Sequence, residues 1–124
     1  MIDHLKLHAP DPAASRAFYE QALAPLGYRV LLDRPASVGM GAKRPDFFIA
    51  PADGAQTPVH VAFRAESEYD VDAFHAAALA AGGTDNGAPG PRPHYHQNYY
   101  GAFVLDPDGN IVEAVYHGLM QPDR

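Results

Sequence analysis

Apolar and polar residues alternate in several short stretches of the chain, which is the period of β-strands that bury one face. The first such stretch lies near the N-terminus, where Leu5 and Leu7 alternate with His4, Lys6 and His8. This pattern predicts a strand with one apolar face and one face carrying nitrogen side chains. This strand is predicted at 2–9. Further strands are predicted at 28–32, 46–50, 59–63, 99–105 and 111–116, and a short Gly-rich strand near a turn at 37–42.

Two segments have the pattern of amphipathic helices. Asp11 and Pro12 are suited to the N-cap and the first helical position, and they precede an Ala-rich helix predicted at 13–23. A second helix is predicted at 69–81, ended by a pair of glycines. The following segment, 84–98, is rich in Gly, Pro, Asn and His and is predicted to be a loop.

The two halves of the chain repeat. A shift of 56 residues superposes a His, a Phe, a Leu and a Gly in each half: His4 on His60, Phe18 on Phe74, Leu23 on Leu79 and Gly27 on Gly83. We therefore expect an α+β fold of two βαβββ modules, at about 1–54 and 57–118, related by an approximate two-fold axis. The modules would form a single domain at 1–118, followed by a tail at 119–124.

Composition narrows the classes of function. The formal net charge of -6 argues against nucleic acid and anionic membranes as partners. The absence of cysteine excludes disulfides, thiolate metal sites and a cysteine nucleophile. No segment has the pattern of a signal peptide or a membrane span, so we expect a cytoplasmic protein.

Glu113 stands in the apolar stretch that follows the turn Asp106-Pro107-Asp108-Gly109-Asn110. A carboxylate there is costly unless it is paired, hydrogen-bonded or bound to a metal, although a solvent-facing strand position is the simpler interpretation. The repeat would bring His4 and His60 to one cavity that Glu113 also reaches. Two imidazoles and a carboxylate suit a divalent Fe, Mn, Zn, Co or Ni ion with coordination positions left open for substrate.

On these residues the chain resembles the vicinal oxygen chelate superfamily, which includes glyoxalase I, fosfomycin-resistance thiol transferases, extradiol dioxygenases and bleomycin-resistance proteins. The resemblance rests on His4, His60, the Phe18-Tyr19 pair and the segment 106–113. It implies paired βαβββ modules forming a cupped sheet around a divalent metal, commonly in a homodimer. It gives the role of metal ligand to His4, His60 and Glu113.

One position departs from glyoxalase I, which uses a fourth protein ligand on the last strand of its first module. Aligning Phe47–Ala50 with Ile111–Ala114 places Ile49 opposite Glu113, so no carboxylate is expected there. The resulting set of three ligands resembles the fosfomycin transferases and the dioxygenases. The chain, however, has no Trp and is short for a two-domain extradiol dioxygenase.

A second group of polar and aromatic residues lies at 92–100 and could form a lid over the metal or simply a polar surface loop. Tyr99 and Tyr100 begin the strand next to that of Glu113, so one of them should face the cavity, and His117 follows Glu113 at even spacing. The candidate catalytic residues are Glu113, Tyr99, Tyr100 and His96. The candidate substrate-binding residues are Lys6, His8, Arg64, Arg92 and His94.

Two functions fit these observations. The first is a metal-dependent enzyme acting on a small oxygenated molecule, nominally a glyoxalase-like lyase or isomerase, with a thiol transferase or dioxygenase as further alternatives. The second is a metal-free protein that binds a small molecule, of the bleomycin-resistance kind. A complete ligand set favours the enzyme, because a sequestering protein has no need of it.

Overall fold

The chain folds as two consecutive βαβββ units, in a computed structural model that describes residues 1–118. Each unit contributes one four-stranded mixed sheet and one α-helix, and a short 3-10 helix at Ala24–Leu26 follows the first. The elements are β1 (Leu5–Ala9), α1 (Pro12–Ala22), β2 (Arg29–Arg34), β3 (Ser37–Gly41), β4 (Phe47–Pro51), β5 (His60–Arg64), α2 (Glu68–Ala80), β6 (Thr84–Pro91), β7 (Tyr100–Leu105) and β8 (Ile111–Tyr116).

The two sheets have the same topology. The strand orders are β1-β4-β3-β2 and β5-β8-β7-β6, and the first two strands of each order run parallel. The remaining pairs are antiparallel. The predicted α+β fold with two repeated modules is therefore confirmed.

Each helix begins one residue before its predicted start, α1 at Pro12 and α2 at Glu68, and each has a side-chain cap. The Asp11 side chain accepts a hydrogen bond from the backbone N–H of Ala14 at 3.1 Å, and the Ser67 side chain accepts one from the N–H of Asp70 at 3.0 Å. Each cap satisfies a backbone donor that the first helical turn leaves without an intrahelical partner.

The predicted loop at 84–98 is wrong in its first half, because Thr84–Pro91 forms the edge strand β6. Glycine, proline and asparagine are depleted in regular strands, but an edge strand tolerates them. The register with β7 shifts on both sides of Gly87, whose φ of +151° lies in a region that favours glycine. A bulged edge strand of this composition lacks the alternation on which strand prediction depends.

The two modules share one apolar core. The helices pack against each other, and the Phe47 ring of the first module contacts the Phe63 ring of the second at a centroid distance of 5.2 Å. One face of each sheet is therefore buried against this core. We call the face of each sheet that points away from the helices its outer face. The outer faces carry polar residues of the types found in functional sites, such as His8 on β1 and Glu113 on β8. No helix in residues 1–118 has the length and apolar character needed to cross a membrane.

Candidate functional site

Glu113 lies on the outer face of the second sheet, yet its side chain is only 3% exposed. Its neighbours across the ladder are Ala62 on β5 and Phe103 on β7. Gly101 adds no side chain beside it, and a Cβ built at Gly101 would lie 3.5 Å from the carboxylate. Ala62 and Gly101 are small and leave space over Glu113 beside the larger Phe103, and the loop between β6 and β7 covers this space.

Both oxygens of the Glu113 carboxylate accept hydrogen bonds. The Nε2 atom of His60 lies 2.8 Å from Oε1, and the hydroxyl of Tyr99 donates to Oε2. The His60 side chain is half-exposed, so the hydrogen-bonded pair extends from the buried carboxylate to the protein surface. The two hydrogen bonds satisfy the buried carboxylate. They offset the free-energy cost of burying a charged group that the sequence led us to expect.

The loop over Glu113 is held by its own backbone and by one pair of histidines. The N–H of Arg92 donates to the carbonyl of Tyr99 at 2.8 Å, and the N–H of Tyr99 donates to the carbonyl of His96 at 3.2 Å. Nε2 of His96 lies 2.9 Å from Nδ1 of the buried His117, at the end of β8. Because Nδ1 of His96 accepts from the backbone N–H of Asn98, its Nε2 is the donor to His117.

A cavity of about 500 Å³ opens beside Glu113. His60 and Glu113 form its floor. Four rings of the loop form its wall: His94, Tyr95, His96 and Tyr99. Three predicted site residues of the loop, His94, His96 and Tyr99, thus share one cavity with two predicted metal ligands. Tyr95 was not a predicted site residue, and only its place in the aromatic segment could have indicated it. His117 was indicated by its even spacing from Glu113.

Tyr99, rather than Tyr100, faces the cavity. Tyr100 begins β7 and points to the helix side of the sheet, where its hydroxyl donates to Asp72 on α2 at 2.7 Å. That hydrogen bond, followed by burial, raises the pKa of Tyr100 to about 12. Tyr100 therefore lies outside the site. Sequence reasoning could not choose between the two because a shift of one residue exchanges the faces.

His4 does not join His60 and Glu113. It precedes β1, where Nδ1 lies 2.7 Å from Asp3 and the ring contacts Phe48 edge-on at 5.4 Å. His4 and His60 do line one cleft of about 360 Å³, but Glu113 is not part of its wall. Within residues 1–118 no group of three His, Cys, Asp or Glu side chains is placed to hold a metal ion. Within one chain, therefore, the three predicted ligands do not converge, and their role as metal ligands stays a prediction.

The remaining predicted substrate-binding residues lie elsewhere. Lys6 and His8 line a separate cleft of about 190 Å³ with residues 56–59. Arg64 ends β5, on the same face as His60 by strand alternation. Arg92 donates to the carbonyls of Ala88 and Gly90, and its guanidinium lies 5.4 Å from the centre of the Phe103 ring. None of these four residues lines the Glu113 cavity.

The counterpart of Glu113 in the first module is Phe48. Lys6 pairs with Phe48 on β4, and Ala62, which matches Lys6 in the repeat, pairs with Glu113 on β8. The proposed alignment with Ile49 is wrong by one residue. Ile49 is buried in the core, because the ungapped alignment of the two strands ignored which face each side chain occupies. The first module still offers no carboxylate at this position.

Hydrogen bonds within the turn at 106–110 fix the start of β8, the strand that carries Glu113. The Asp106 carboxylate accepts hydrogen bonds from the backbone N–H groups of Asp108 and Asn110, and from the Asn110 side chain. It also accepts from the hydroxyl of Tyr19 on α1 at 2.5 Å. Burial, reinforced by the Asp106 charge, raises the pKa of Tyr19 far above its usual value, so the phenol stays protonated. Asn110 in turn accepts from the N–H of Val59, which positions the start of β5.

A family model for the Glyoxalase/Bleomycin resistance protein/Dioxygenase superfamily matches residues 1–114. The chain belongs to this glyoxalase superfamily. A comparison with curated protein sequences gives no match.

Solved structures of glyoxalase-superfamily proteins are similar over nearly the whole chain. A glyoxalase/bleomycin resistance protein from Albidiferax ferrireducens T118 is 29% identical with a TM-score of 0.80, covering 93% of this chain and 97% of its own. A family enzyme from Burkholderia phytofirmans PsJN is 21% identical with a TM-score of 0.74, covering 94% and 98%. A lactoylglutathione lyase from Agrobacterium tumefaciens is 24% identical with a TM-score of 0.70, covering 94% and 92%. The last two likenesses, below 25% identity, concern the fold.

Glyoxalase-superfamily proteins typically bind a divalent metal, and the residues of this chain fit one in part. An imidazole nitrogen and a carboxylate oxygen 2.8 Å apart on neighbouring strands are suitable donors for such an ion. The described part of one chain supplies these two donors beside the cavity. A metal site with a third protein ligand would need a side chain from outside the described part of this chain.

Proposed function

We propose that the chain is a divalent-metal-dependent enzyme of the vicinal oxygen chelate type that acts on a small oxygenated substrate. The observation that carries this proposal is the buried Glu113 carboxylate, paired with His60 at the floor of an open cavity. His60 and Glu113 would hold the metal ion, which can be Fe, Mn, Zn, Ni or Co. When bound, the ion would polarise an oxygen of the substrate.

The chain's own residues would supply binding and proton transfer. Tyr99 holds its hydroxyl proton on Glu113, and it lines the cavity in which a substrate would lie. A phenol in this position can donate a proton to, or orient, an oxygen of the substrate. The His96 ring contacts the Tyr99 ring edge-on at a centroid distance of 5.2 Å and lines the same cavity. A lyase or isomerase reaction needs such a group beside the reacting carbon.

The third ligand in this proposal is His4 of a second copy of the chain, in a homodimer. Strands β1 and β5 are edge strands of their sheets, with one side of each backbone unpaired in the ladders. The apolar side chains of Ile2, Leu5 and Val59 are exposed beside these two edges. Because the helix side of both sheets is filled by the shared core, the outer faces are the ones that a second copy can cover.

The second candidate function is a metal-free protein that binds a small molecule. The observation that favours it is that His60 and Tyr99 together satisfy both oxygens of Glu113 without any further group. In that case the carboxylate serves as a hydrogen-bond acceptor for a ligand, and the aromatic loop supplies the binding surface. A thiol transferase and an extradiol-type dioxygenase are further forms of the enzyme proposal, and an activity screen with fosfomycin plus thiols, catechols and hemithioacetals separates them.

Metal analysis of untagged protein, after reconstitution with each of the five metals, tests the proposal. We expect the wild-type chain to retain one of them, and His60→Ala to lose it because an imidazole ligand is removed. His75→Ala is the matched control, since His75 bonds to Asp85 away from the cavity. Failure of the wild-type chain to retain any metal, or equal loss in both variants, would contradict the metal-dependent function and leave the binding protein.

A further inference from the structure

Tyr99 contacts two residues that follow one another along the same stretch of backbone. Its hydroxyl donates to Oε2 of Glu113 on β8, and its ring contacts the ring of His117, just after β8, edge-on at a centroid distance of 5.4 Å. Glu113 and His117 are four residues apart, an even spacing that places both on one face of an extended chain. This stretch of backbone therefore fixes the position of the Tyr99 phenol relative to the carboxylate.

The His96 and His117 rings form a stacked pair beside Tyr99. Their centroids are 5.1 Å apart with an angle of 26° between the planes, and the His96 ring contacts Tyr99 at 5.2 Å. Tyr99 thus lies against two imidazoles, one from its own loop and one from the end of the sheet. His117 is only 5% exposed, so its nitrogen acceptor depends on a donor from the protein.

Both nitrogens of His96 make hydrogen bonds within the protein. Nδ1 accepts from the backbone N–H of Asn98 at 3.2 Å, and Nε2 donates to Nδ1 of His117 at 2.9 Å. A neutral imidazole has one donor and one acceptor, so these two bonds use the hydrogen-bonding capacity of the ring. Although His96 lines the cavity, it has no nitrogen left with which to exchange a proton with a substrate.

The backbone after β8 approaches the same loop closely. Gly118 has a φ of +85°, in the left-handed region that favours glycine. A Cβ added at Gly118 would lie 2.9 Å from the Cβ of Asn98, which is closer than real side chains come. The loop therefore contacts the segment 117–118 at two neighbouring residues, His96 and Asn98.

We propose that His117 is a positioning residue: it holds His96, and through His96 the loop, so that the Tyr99 hydroxyl stays on Glu113. His96 belongs to the same support and does not itself transfer protons. This inference rests on the proposed function, because Tyr99 is the proton donor of that function.

Two substitutions of His117 separate its hydrogen bond from its packing. His117→Asn keeps an acceptor, because the Asn Oδ1 atom can replace the imidazole Nδ1, whereas His117→Phe keeps a ring without an acceptor. Hydrogen exchange of the Tyr99 amide, which donates to the His96 carbonyl, measures opening of the loop. We expect exchange to be at least about tenfold faster in His117→Phe and nearly unchanged in His117→Asn, because only the Phe variant removes the acceptor for His96.

The amides of β7 measure global unfolding in the same samples, which separates a general loss of stability from local opening of the loop. His75→Ala should leave exchange of the Tyr99 amide unchanged, since it removes a histidine that bonds to Asp85 instead. Unchanged exchange in His117→Phe would overturn the proposal. So would exchange in His117→Asn that is as fast as in His117→Phe or faster, because His117 would then act by packing alone.

The imidazole signals of the wild-type protein give a second test that requires no variant of His117. In nitrogen NMR spectra at about pH 8, where imidazoles are neutral, His96 should be a single tautomer with its proton on Nε2. The His96→Gln variant identifies the signals of His96 by their loss. A proton on Nδ1 of His96, or a mixture of both tautomers, would overturn the proposal.

Metal retention distinguishes failure of this inference from failure of the proposed function. His117→Phe should retain metal as the wild type does, because His60 and Glu113 are unchanged. Metal retention without faster exchange in His117→Phe would contradict the positioning role and leave the metal-dependent function intact. The expected exchange rates in a chain that retains no metal would support the positioning role and contradict the metal-dependent function.

Discussion

The outer faces of the two sheets differ at the matched positions Phe48 and Glu113. On the first sheet, Phe48 lies opposite Lys6 and its ring contacts His4. On the second sheet, Glu113 lies opposite Ala62 and accepts a hydrogen bond from His60. The same fold thus places a histidine beside an aromatic ring in one module and beside a carboxylate in the other. The repeat supplies equivalent positions, and the side chain at each decides whether chemistry is possible there.

Exchanging the residues of the matched pair gives the largest expected effect on metal binding. Glu113→Phe copies the first module into the second, and we expect it to lower metal affinity by at least about 100-fold because a charged ligand is lost. Phe48→Glu copies the second module into the first, and should raise metal affinity by adding a carboxylate beside His4. Measurement of metal affinity by competition with a chromophoric chelator checks both variants.

Thermal unfolding of the two exchanged variants is the control. Neither residue belongs to the shared apolar core, so both proteins should still unfold cooperatively. A folded Glu113→Phe variant that binds metal like the wild type would show that the two modules do not differ in the proposed way.

The turns that lead into β4 and β8 also differ, and the second is held more strongly. Asp106 accepts four hydrogen bonds, whereas Asp46 in the first module accepts one from the hydroxyl of Tyr28, at 2.9 Å, through its side chain. Asp106→Ala would leave several buried donors without acceptors, and we expect it to lower the free energy of unfolding by about 3 to 5 kcal/mol. Tyr28→Phe should lower it by about 1 kcal/mol.

Urea unfolding monitored by circular dichroism measures both changes. If Tyr28→Phe lowers the free energy of unfolding as much as Asp106→Ala does, the two turns do not differ in strength as proposed. Asp108→Ala serves as a further control for the turn, since Asp108 contributes its backbone N–H and not its side chain to the bond with Asp106.

The two adjacent tyrosines give the smallest expected effect and the sharpest contrast of faces. Tyr99→Phe removes the hydroxyl from Glu113 and should lower kcat about tenfold on whichever substrate is turned over, with little change in stability. Tyr100→Phe removes a bond to Asp72 on the helix side and should leave kcat unchanged. Steady-state kinetics of the two variants measures both values of kcat. An equal loss of kcat in the two variants would contradict the assignment of the site to the face that carries Tyr99.

Sequence reasoning identified what depends on periodicity and repetition. The Asp11 cap of α1 and the two βαβββ modules follow from local patterns and from one ungapped offset, whereas the grouping of His60 with Glu113 depended on the last strand of the second module and on the resemblance. The edge strand β6 escaped because its residues break the alternation. Phe48 was missed because matching residue types does not determine which face of a strand a side chain occupies.

The position of His4 marks a different limit of sequence reasoning. A repeat indicates which residues are equivalent, but it does not indicate whether equivalent residues meet within one chain or between copies. The roles of the site residues remain predictions, and the metal and hydrogen-exchange experiments above test them.

The bond between Tyr19 and Asp106 joins the helix of the first module to the turn of the second. If the chain were divided at residues 54–57, one fragment would keep a buried phenol and the other a carboxylate with an empty acceptor site. Each half would also expose its share of the common core. An internal duplication usually suggests units that once stood alone, but these two halves are now complementary fragments, each completing a polar contact that the other cannot make for itself.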